Sequence, residues 1–229
     1  ITKAMKNPRP PLVAIIGGAK VSDKIALIKR LINKADRILI GGAMANAFLQ
    51  YRGCNIGKSV SESGQEQVIK DIYDKAEKKV GVDHVDDFLV LPSDVAVASD
   101  PYSELPRREV SVDKIARDDM ALDIGSQTIE TFTKVLATAK TVIWNGPLGY
   151  TETKIFSIGS ARVALAIAQN KDVVSIVGGG DTADFILKWD GHDGQSFTHV
   201  STGGGASMEL MAGKKLPGIE SLLDVYGLR

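Results

Sequence analysis

Two glycine runs in this chain could hold an anion. Glycines 178–180 follow the apolar stretch 173–177 and precede Asp181 and Thr182, and glycines 203–205 follow residues 199–202. Because glycine lacks a Cβ, the backbone N–H groups of such a turn can approach a bulky anion, and the first turn of a following helix adds unpaired donors and the positive end of its dipole. Two such turns in one chain predict a site for the phosphates of a nucleotide.

Two lysines strengthen this prediction. Lys20 and Lys24 lie at or just inside the start of residues 21–35, the first long segment with helical spacing. Cations there face the unfavourable end of the helix dipole and repel each other at i and i+4, each effect costing about a few tenths of a kcal/mol. A bound polyanion would make both positions favourable. The alternative is that both side chains extend into solvent, which screens the penalties.

A carboxylate directly follows the first glycine run. Asp181 beside phosphate oxygens would be repulsive unless a divalent cation lay between them, and Mg²⁺ is the usual cation for one carboxylate plus nucleotide oxygens. The commoner role of an aspartate that opens a helix is to cap backbone amides, so both interpretations stay open. Thr182 could donate its hydroxyl to the same anion. His84, His192 and His199 have no neighbours at metal-ligand spacing, which favours structural or surface roles.

Short apolar runs alternate with longer amphipathic segments for most of the length. Runs that stay apolar on successive residues are typical of strands buried on both faces. The alternation predicts an α/β, Rossmann-like fold, with a mostly parallel sheet of about six strands and helices on both faces. The predicted strands are residues 12–16, 37–40, 88–91, 121–124, 141–144, 173–177 and 198–200. The predicted helices are residues 21–35, 44–51, 63–80, 127–139, 158–170 and 181–189, and residues 99–117 are predicted to form a loop or small excursion at an edge.

In an open parallel sheet, ligands bind outside the carboxyl ends of the strands. Nearly every predicted strand here ends in glycine, as at residues 17–18, 41–42, 125 and 146. For any single turn, tight geometry explains a glycine as well as a ligand does. Taken together, the turns favour a ligand at this edge of the sheet.

Composition limits the function classes. The chain has 229 residues, and its 28 Lys and Arg balance 28 Asp and Glu, so the formal net charge is zero. This length allows one large domain or two small ones, and the balanced charge gives no indication of a nucleic-acid or membrane partner. The single cysteine, Cys54, and the lack of a leader peptide or long apolar run favour a cytoplasmic protein, which we expect to be a monomer. Because the chain begins with Ile1, we expect it to be a piece of a longer protein.

Two nucleotide-site templates can be compared with these residues. The Walker A pattern GxxxxGK followed by Ser or Thr does not occur in the sequence, which argues against a P-loop ATPase. Gly178, Gly180 and Ala183 match the dinucleotide pattern GxGxxA, but residues 201–202, after the next predicted strand, supply no acid for a ribose 2′-hydroxyl. The missing acid weakens the interpretation as an NAD domain.

Seven segments stand out in order along the chain: GGAKVSDKI (residues 17–25), GGAMANAFL (41–49), LPSDV (91–95), WNGPLG (144–149), GGGDTA (178–183), STGGGAS (201–207) and GKKLPGI (213–219). Together they resemble the corresponding segments of the phosphoglycerate kinase family. The resemblance runs the whole chain and covers the C-terminal half of the family's two-domain protein. It implies that residues 1–10 are the end of the helix that joins the halves, that residues 11–229 are the nucleotide-binding domain, and that the N-terminal substrate domain is absent from this chain.

The resemblance also implies an activity. Members of the family reversibly transfer a phosphoryl group between 1,3-bisphosphoglycerate and ADP in glycolysis, giving 3-phosphoglycerate and ATP. The implied domain binds MgADP or MgATP, with Mg²⁺ as the cofactor. Because the family's transition-state arginine and its phosphoglycerate site belong to the absent half, we expect this chain alone to bind nucleotide without turnover.

The same resemblance implies roles for the residues that match the family's motifs. Lys20 and Lys24 would contact the nucleotide phosphates and the transferring group, and Asp181 would bind Mg²⁺. Glu152 would accept hydrogen bonds from the ribose hydroxyls. Backbone donors at two helix starts would come from Gly179, Gly180, Thr182, Gly203, Gly204 and Gly205, and the implied catalytic set is Lys20, Lys24, Gly180, Gly203 and Gly204. The adenine slot and its entrance would be formed by Gly18, Gly41, Gly42, Ala121, Leu122, Asn145 and Pro147.

Three places depart from the family's pattern. Ala43 stands where the family usually has a third glycine, Ser126-Gln127 replaces a common Pro-containing turn, and Tyr150-Thr151 replaces a Val-Phe pair beside the implied ribose contact. Two other functions remain open at this point. One is an NAD-linked oxidoreductase domain that uses the GxGxxA pattern, and the other is a noncatalytic nucleotide-responsive or interaction module with the same fold.

Overall fold

Nine strands form two sheets in the computed structural model, which describes residues 1–102 and 107–225. The larger sheet contains β1 (Leu12–Ile16), β2 (Arg37–Ile40), β3 (Leu89–Val90), β7 (Thr141–Asn145), β8 (Val174–Gly178) and β9 (His199–Val200). The smaller sheet contains β4 (Asp94–Ala98), β5 (Arg108–Ser111) and β6 (Met120–Ile124).

Helices precede, separate and follow these strands along the chain. They are α1 (Thr2–Lys6), α2 (Ile25–Lys34), α3 (Gly42–Tyr51), α4 (Glu66–Val80), α5 (Val85–Phe88), α6 (Ser126–Ala137), α7 (Ile158–Gln169), α8 (Gly180–Asp190), α9 (Gly204–Met211) and α10 (Pro217–Val225). A short 3-10 turn, Ser22–Lys24, precedes α2. The order of elements is therefore strand then helix for most of the chain, as the sequence predicts.

All neighbouring strands of the larger sheet are parallel, in the order β3-β2-β1-β7-β8-β9. Counted within the sheet alone, this is the doubly wound order 3-2-1-4-5-6, in which the winding direction reverses between the first and fourth strands. Here that switch point lies between β1 and β7. The predicted α/β, Rossmann-like fold is confirmed.

Both faces of the larger sheet are buried. Along β1, Ala14 and Ile16 pack in a core with residues of α2, α3 and α4, whereas Val13 and Ile15 pack in a second core with residues of α6, α7 and α8. Because side chains of a strand point alternately to the two faces, a strand between two helix layers is apolar at every position. The two cores explain the uninterrupted apolar runs in the sequence, and they fix the strand ends from which the loops at the switch point extend.

The smaller sheet differs from the sequence-based prediction. Residues 121–124 are predicted as a strand of the mostly parallel sheet, whereas the structure places them in β6, which pairs antiparallel with β4. The predicted edge excursion, residues 99–117, contains β5, and its residues 103–106 lie outside the described residues. The apolar pattern of a short strand records its burial and not the identity of its pairing partner, so the pattern alone assigns β6 to the wrong sheet.

Asp123 of β6 joins the smaller sheet to the helix layer. Its buried carboxylate accepts hydrogen bonds from the backbone N–H of Gly159, at the start of α7, at 2.8 Å, and from Arg107 Nη1 at 2.7 Å. Burial raises the pKa of Asp123 to about 6, because the loss of hydration outweighs the opposing effects of Arg107 and of the backbone donors. A Cβ on Gly149 or Gly159 would lie 2.4 Å from the Oδ1 atom of Asp123, so both turns need glycine to pack here.

Asp94 of β4 caps a helix from another part of the chain. Its carboxylate accepts hydrogen bonds from the backbone N–H groups of Gln127 and Thr128, at 3.0 and 2.8 Å, and from the Thr128 hydroxyl at 2.6 Å. These donors belong to the first turn of α6, whose own N-cap residue is a glycine without a side chain. The LPSDV segment thus has a structural role, which is to join the smaller sheet to α6.

Replacing Asp94 with alanine is therefore expected to lower the free energy of unfolding by about 2 kcal/mol, because it leaves buried donors of the first turn of α6 without an acceptor. Urea denaturation followed by circular dichroism measures this loss. The matched control is Asp184→Ala, which removes an exposed carboxylate paired with Lys188 along α8 and should change the stability by less than about 0.5 kcal/mol. Equal losses in the two variants would contradict the capping role.

Candidate functional site

An elongated cleft opens at the carboxyl ends of the parallel strands, beside the switch point. It consists of two adjoining cavities of about 350 and 260 Å³, which share Gly18, Ala19, Pro147 and Asp181 as lining residues. Gly18 and Ala19 follow β1, and Pro147 follows β7, so the cleft lies where a doubly wound sheet binds its ligands. The larger cavity, lined by Lys20, Lys24, Asn145 and the starts of α8 and α9, is called the polar end below. The smaller cavity, lined by Gly42, Val60, Met120, Ala121, Leu122 and Tyr150 among others, is called the apolar end.

Two helix starts face the polar end. The lining includes Gly180 and Thr182 from the first turn of α8, and Gly204 and Gly205 from the first turn of α9. N–H groups of a first helical turn have no partner within the helix, and the helix dipole makes this end positive. The structure therefore brings together the two glycine runs that are more than 20 residues apart in the sequence.

The glycines of the cleft fall into two groups. At Gly42 and Gly146, both with positive φ angles, a Cβ would lie within 3 Å of backbone atoms of the β1 turn, so packing and conformation require glycine. At Gly180 and Gly205 the φ angle is ordinary, and a Cβ would meet no atom within 4 Å. Neither packing nor backbone conformation explains glycine at these two helix starts, whereas close approach of a ligand to the backbone would.

Lys24 extends from the end of the 3-10 turn into the polar end. Its Nζ donates a hydrogen bond to the side-chain carbonyl of Asn145, which is the last residue of β7 and is fully buried. Burial lowers the pKa of Lys24 below the usual range for lysine, although the negative charges of Asp23 and Asp181 partly oppose this shift. The side-chain N–H₂ of Asn145 is also buried and has no acceptor among the described residues. The cleft wall thus holds an ammonium group and an unused amide donor side by side.

Lys20 also lines the polar end, and its side chain is exposed. The alternative that both lysines extend into solvent does not hold for Lys24, whose partly buried ammonium group donates to Asn145, whereas the exposed side chain of Lys20 is compatible with it. The two lysines reach the cleft from the turn between β1 and α2, where Lys24 is the N-cap residue of α2.

Asp181, in the first turn of α8, lines both ends of the cleft. Its carboxylate has no hydrogen bond or ion pair within the described part of the chain, so the capping interpretation is not supported. No cluster of three or more metal-ligating residues occurs among the described residues. A lone carboxylate in an open cleft fits Mg²⁺ if ligand and water oxygens complete the coordination shell. Thr182 is buried, and its hydroxyl accepts a hydrogen bond from the backbone N–H of Gly146 at 2.7 Å, which fixes the turn after β7.

The apolar end lies between the larger sheet and β6. Ala121 and Leu122 come from β6, Gly42 comes from the start of α3, and Glu152 lies exposed at the rim. The Glu152 carboxylate has no hydrogen bond among the described residues. A slot with apolar walls, an acceptor at its rim and, beyond it, a cavity lined by two lysines and two helix starts has the polarity that a base, a sugar and a phosphate chain in sequence would require.

Two predicted site residues do not line the cleft. Gly41 is buried below it, where a Cβ would lie 2.5 Å from Leu148, and Gly203 precedes α9, where a Cβ would lie 2.8 Å from the Ser207 hydroxyl. Both glycines therefore have packing reasons of their own. The other predicted site residues line one end of the cleft or both. These are Gly18, Lys20, Lys24, Gly42, Ala121, Leu122, Asn145, Pro147, Glu152, Gly179, Gly180, Asp181, Thr182, Gly204 and Gly205.

Several lining residues were given no specific role at the site by the sequence analysis, although Ala19 and Gly146 lie in the strand-end turns that it expects to face a ligand. At the polar end they are Ala19, Asp23, Gly146 and Met208, and at the apolar end they are Ala43, Val60, Met120, Gly149 and Tyr150. Asp23 and Gly146 lie inside the segments GGAKVSDKI and WNGPLG, so a place at the site could have been inferred for both from the sequence. Val60 lies in a loop with no pattern of its own. Met120 packs against the small core of Ala96, Leu122 and Phe156 while also lining the cleft.

None of the helices in the described ranges has both the length and the apolar character needed to cross a membrane. The fold and the cleft define an α/β protein with a doubly wound sheet and a glycine- and lysine-lined cleft at its switch point. The family model for phosphoglycerate kinase matches residues 1–214, and the chain belongs to this family.

Relatives and solved structures agree with this assignment. The chain is 46% identical over 218 residues to the phosphoglycerate kinase of Listeria welshimeri, covering 95% of this chain and 52% of the relative. It is 45% identical over 222 residues to that of Fusobacterium nucleatum, covering 97% of this chain and 53% of the relative. The structure of phosphoglycerate kinase from Coxiella burnetii superposes with a TM-score of 0.87 at 38% identity, covering 96% of this chain and 54% of that one. The chain thus spans about half the length of the relatives it matches.

Proposed function

We propose that this chain is the nucleotide-binding half of a phosphoglycerate kinase. Residues 1–10 would end the helix between the halves, and residues 11–229 would form the domain that binds MgADP or MgATP. The whole protein would transfer a phosphoryl group reversibly between 1,3-bisphosphoglycerate and ADP in glycolysis, giving 3-phosphoglycerate and ATP. It would act as a monomer in the cytoplasm.

One observation carries this proposal beyond family membership. The two helix starts at α8 and α9 converge with Lys20 and Lys24 on one cavity, and that cavity continues into an apolar slot. Each helix start favours an anion, and the glycines at Gly180 and Gly205 leave open space where a ligand can approach the backbone. An adenine nucleotide presents an apolar base at one end and several negative charges at the other.

The proposed chemistry requires no protein nucleophile. In the direction of ATP synthesis, a terminal oxygen of ADP attacks the phosphorus of the acyl phosphate, the bond from phosphorus to the carboxyl oxygen breaks, and the carboxylate of 3-phosphoglycerate leaves. Catalysis of this kind consists of aligning the groups in line and neutralising the charge on the equatorial oxygens. Lys20, Lys24 and the first-turn amides of α8 and α9 would supply positive charge and donors at the polar end. Mg²⁺, held by Asp181, would neutralise charge on the nucleotide oxygens.

Other residues of the cleft would fix the position of the nucleotide's base and ribose. The orphaned side-chain N–H₂ of Asn145 would find its acceptor on the bound nucleotide, and Glu152 would accept hydrogen bonds from the ribose hydroxyls. Ala121, Leu122, Gly42 and Pro147 would contact the base. The acceptor substrate would be held by the other half of the protein, so this chain alone is proposed to bind nucleotide without turnover.

Isothermal titration calorimetry of the chain with MgADP and with NAD tests the proposal. MgADP is expected to bind with one site per chain, and NAD is expected to bind at least about tenfold more weakly, because residues 201–202 supply no acid for the ribose 2′-hydroxyl of a dinucleotide. Binding of NAD in preference to MgADP would indicate the oxidoreductase alternative. If neither ligand bound, the chain would be a module that keeps the fold without its site.

A variant of Asp181 separates nucleotide binding from metal binding. Asp181→Asn is expected to abolish most of the gain in ADP affinity that Mg²⁺ gives, while ADP without metal binds as well as before or better, because one negative charge is removed. The control is Asp184→Asn, one turn along α8 and paired with Lys188, which should leave the effect of Mg²⁺ unchanged. The same Mg²⁺ effect in Asp181→Asn and the wild type would disprove the metal role.

A further inference from the structure

The turn that carries Lys20 and Lys24 has no cap of its own. Neither the 3-10 turn Ser22–Lys24 nor α2 receives a hydrogen bond from the side chain of its N-cap residue. First-turn N–H groups without an internal partner need an acceptor from elsewhere. A turn without one would be free to move its lysines relative to the cleft.

The missing acceptor is Glu62, which is 40 residues further along the chain. Its Oε2 atom accepts a hydrogen bond from the backbone N–H of Ser22 at 3.0 Å, and its Oε1 atom accepts one from the Ser22 hydroxyl at 2.5 Å. Desolvation acts to raise the pKa of Glu62, but the hydrogen bonds from Ser22 and Val21 and the charge of Lys20 lower it overall. The carboxylate is therefore ionised at neutral pH, where it holds the turn from two sides.

Glu62 ends a short segment, residues 59–62, that also contacts the apolar end of the cleft. The Ser59 hydroxyl accepts a hydrogen bond from the backbone N–H of Ala121 at 2.8 Å, and Asn46 donates to the carbonyl of Val60 at 2.8 Å. The Val60 side chain lines the apolar end. One segment of four residues thus supports a wall of the apolar end and the lysine turn of the polar end.

We propose that Glu62 is a positioning residue for the two lysines, and that residues 59–62 form a strut that sets the distance between the two ends of the cleft. This inference rests on the proposed nucleotide site. Glu62 does not line either cavity, so it acts through Ser22 and not by contact with the ligand. The role predicts a selective effect, because the lysine turn would serve the phosphates and Ser59 would serve the base.

The test compares MgADP with adenosine, which has no phosphates, by calorimetry on the whole chain. Glu62→Ala is expected to raise the dissociation constant of MgADP about tenfold and that of adenosine by less than about twofold, because the lysine turn loses both of its hydrogen bonds. Glu62→Gln keeps the geometry, since its carbonyl can accept from the Ser22 N–H and its amide can donate to the Ser22 hydroxyl. It is expected to restore MgADP affinity to within about twofold of the wild type.

Two controls accompany these variants. Glu66→Ala removes an exposed carboxylate four residues away, at the start of α4, and should change neither dissociation constant. Ser59→Ala removes the support of the apolar end and should weaken MgADP and adenosine by the same factor. Thermal unfolding of each variant reports its folding. If Glu62→Ala fails to fold, Ser22→Ala removes the hydroxyl bond alone and should weaken MgADP selectively, by about threefold.

Three results would overturn the positioning role. Equal weakening of MgADP and adenosine in Glu62→Ala would show a general structural role. Unchanged MgADP binding would show that the turn needs no strut. Tighter MgADP binding in both Glu62→Ala and Glu62→Gln would show that the charge of Glu62 competes with the phosphates for Lys20. Failure of the wild-type chain to bind MgADP would instead overturn the proposed function itself.

Discussion

Replacing Lys24 with alanine is expected to lower the rate of phosphoryl transfer by about 10²–10³, measured in the chain joined to a phosphoglycerate-binding half. The ammonium group of Lys24 lies in the polar end, partly buried, where a charge interacts more strongly with a phosphate than it does in water. The variant also leaves the Asn145 amide without its hydrogen bond from Lys24. Both effects weaken the neutralisation of charge that the transfer needs.

The pH dependence of MgADP binding tests whether the Lys24 ammonium group is the one that attracts the phosphates. Burial lowers the pKa of Lys24, and only its protonated amine attracts phosphate. MgADP affinity should therefore decrease as the pH rises, and the decrease should begin at a lower pH than it would for a lysine with an ordinary pKa. The Lys24→Ala variant should lack this alkaline decline. Lys29→Ala is the matched control, because Lys29 is on α2 and does not line the cleft. Wild-type transfer rates in Lys24→Ala would contradict the catalytic role.

Replacing Gly146 with alanine is expected to lower the free energy of unfolding by about 4 kcal/mol. Gly146 has a φ angle of +95°, and a Cβ there would lie 2.1 Å from the carbonyl oxygen of Gly17. The turns after β1 and β7 are in backbone contact at this point, so neither can give way without disturbing the sheet below. Chemical denaturation of the ligand-free chain measures the loss.

Gly180→Ala is the matched substitution, and it is expected to affect nucleotide binding instead of stability. A Cβ at Gly180 would meet no atom within 4 Å, and its φ angle is ordinary, so the free energy of unfolding should change by less than about 1 kcal/mol. The methyl group would project into the space proposed for the phosphates and should weaken MgADP binding about tenfold. Equal stability losses in the two variants, or unchanged MgADP binding in Gly180→Ala, would contradict this division of the glycines.

The larger sheet could be predicted from the sequence because its strands are buried on both faces, and the apolar residues that this burial requires are visible in each strand's own sequence. Residues 12–16, 38–40 and 142–144 are apolar at every position, and all lie in strands of the doubly wound sheet. The smaller sheet could not be predicted in the same way. Its strands are short, and the pairing of β6 with β4 depends on contacts that join distant parts of the chain, such as the hydrogen bonds of Asp94 and Asp123.

The polar end of the cleft was predictable to a similar extent. Glycine runs and lysines at helix starts are locally unfavourable choices, and such choices are visible in a sequence because they contradict local preferences. The structure adds the distinction between glycines that pack and glycines that leave space. Gly41 and Gly180 look alike in the sequence, yet a Cβ would collide with Leu148 at the first and meet open space at the second. Glu62 gave no signal, because an acid in a loop is unremarkable until its partner is known.

The walls of the apolar end belong to different layers of the molecule. Ala121 and Leu122 come from the antiparallel sheet, whereas the lysine turn and both helix starts follow strands of the parallel sheet. A nucleotide bound as proposed would contact both sheets' loops and strands across the boundary between them. Mutations confined to one layer could then alter which base is preferred while the machinery for the reacting atoms stays intact, so the two properties are free to evolve at different rates.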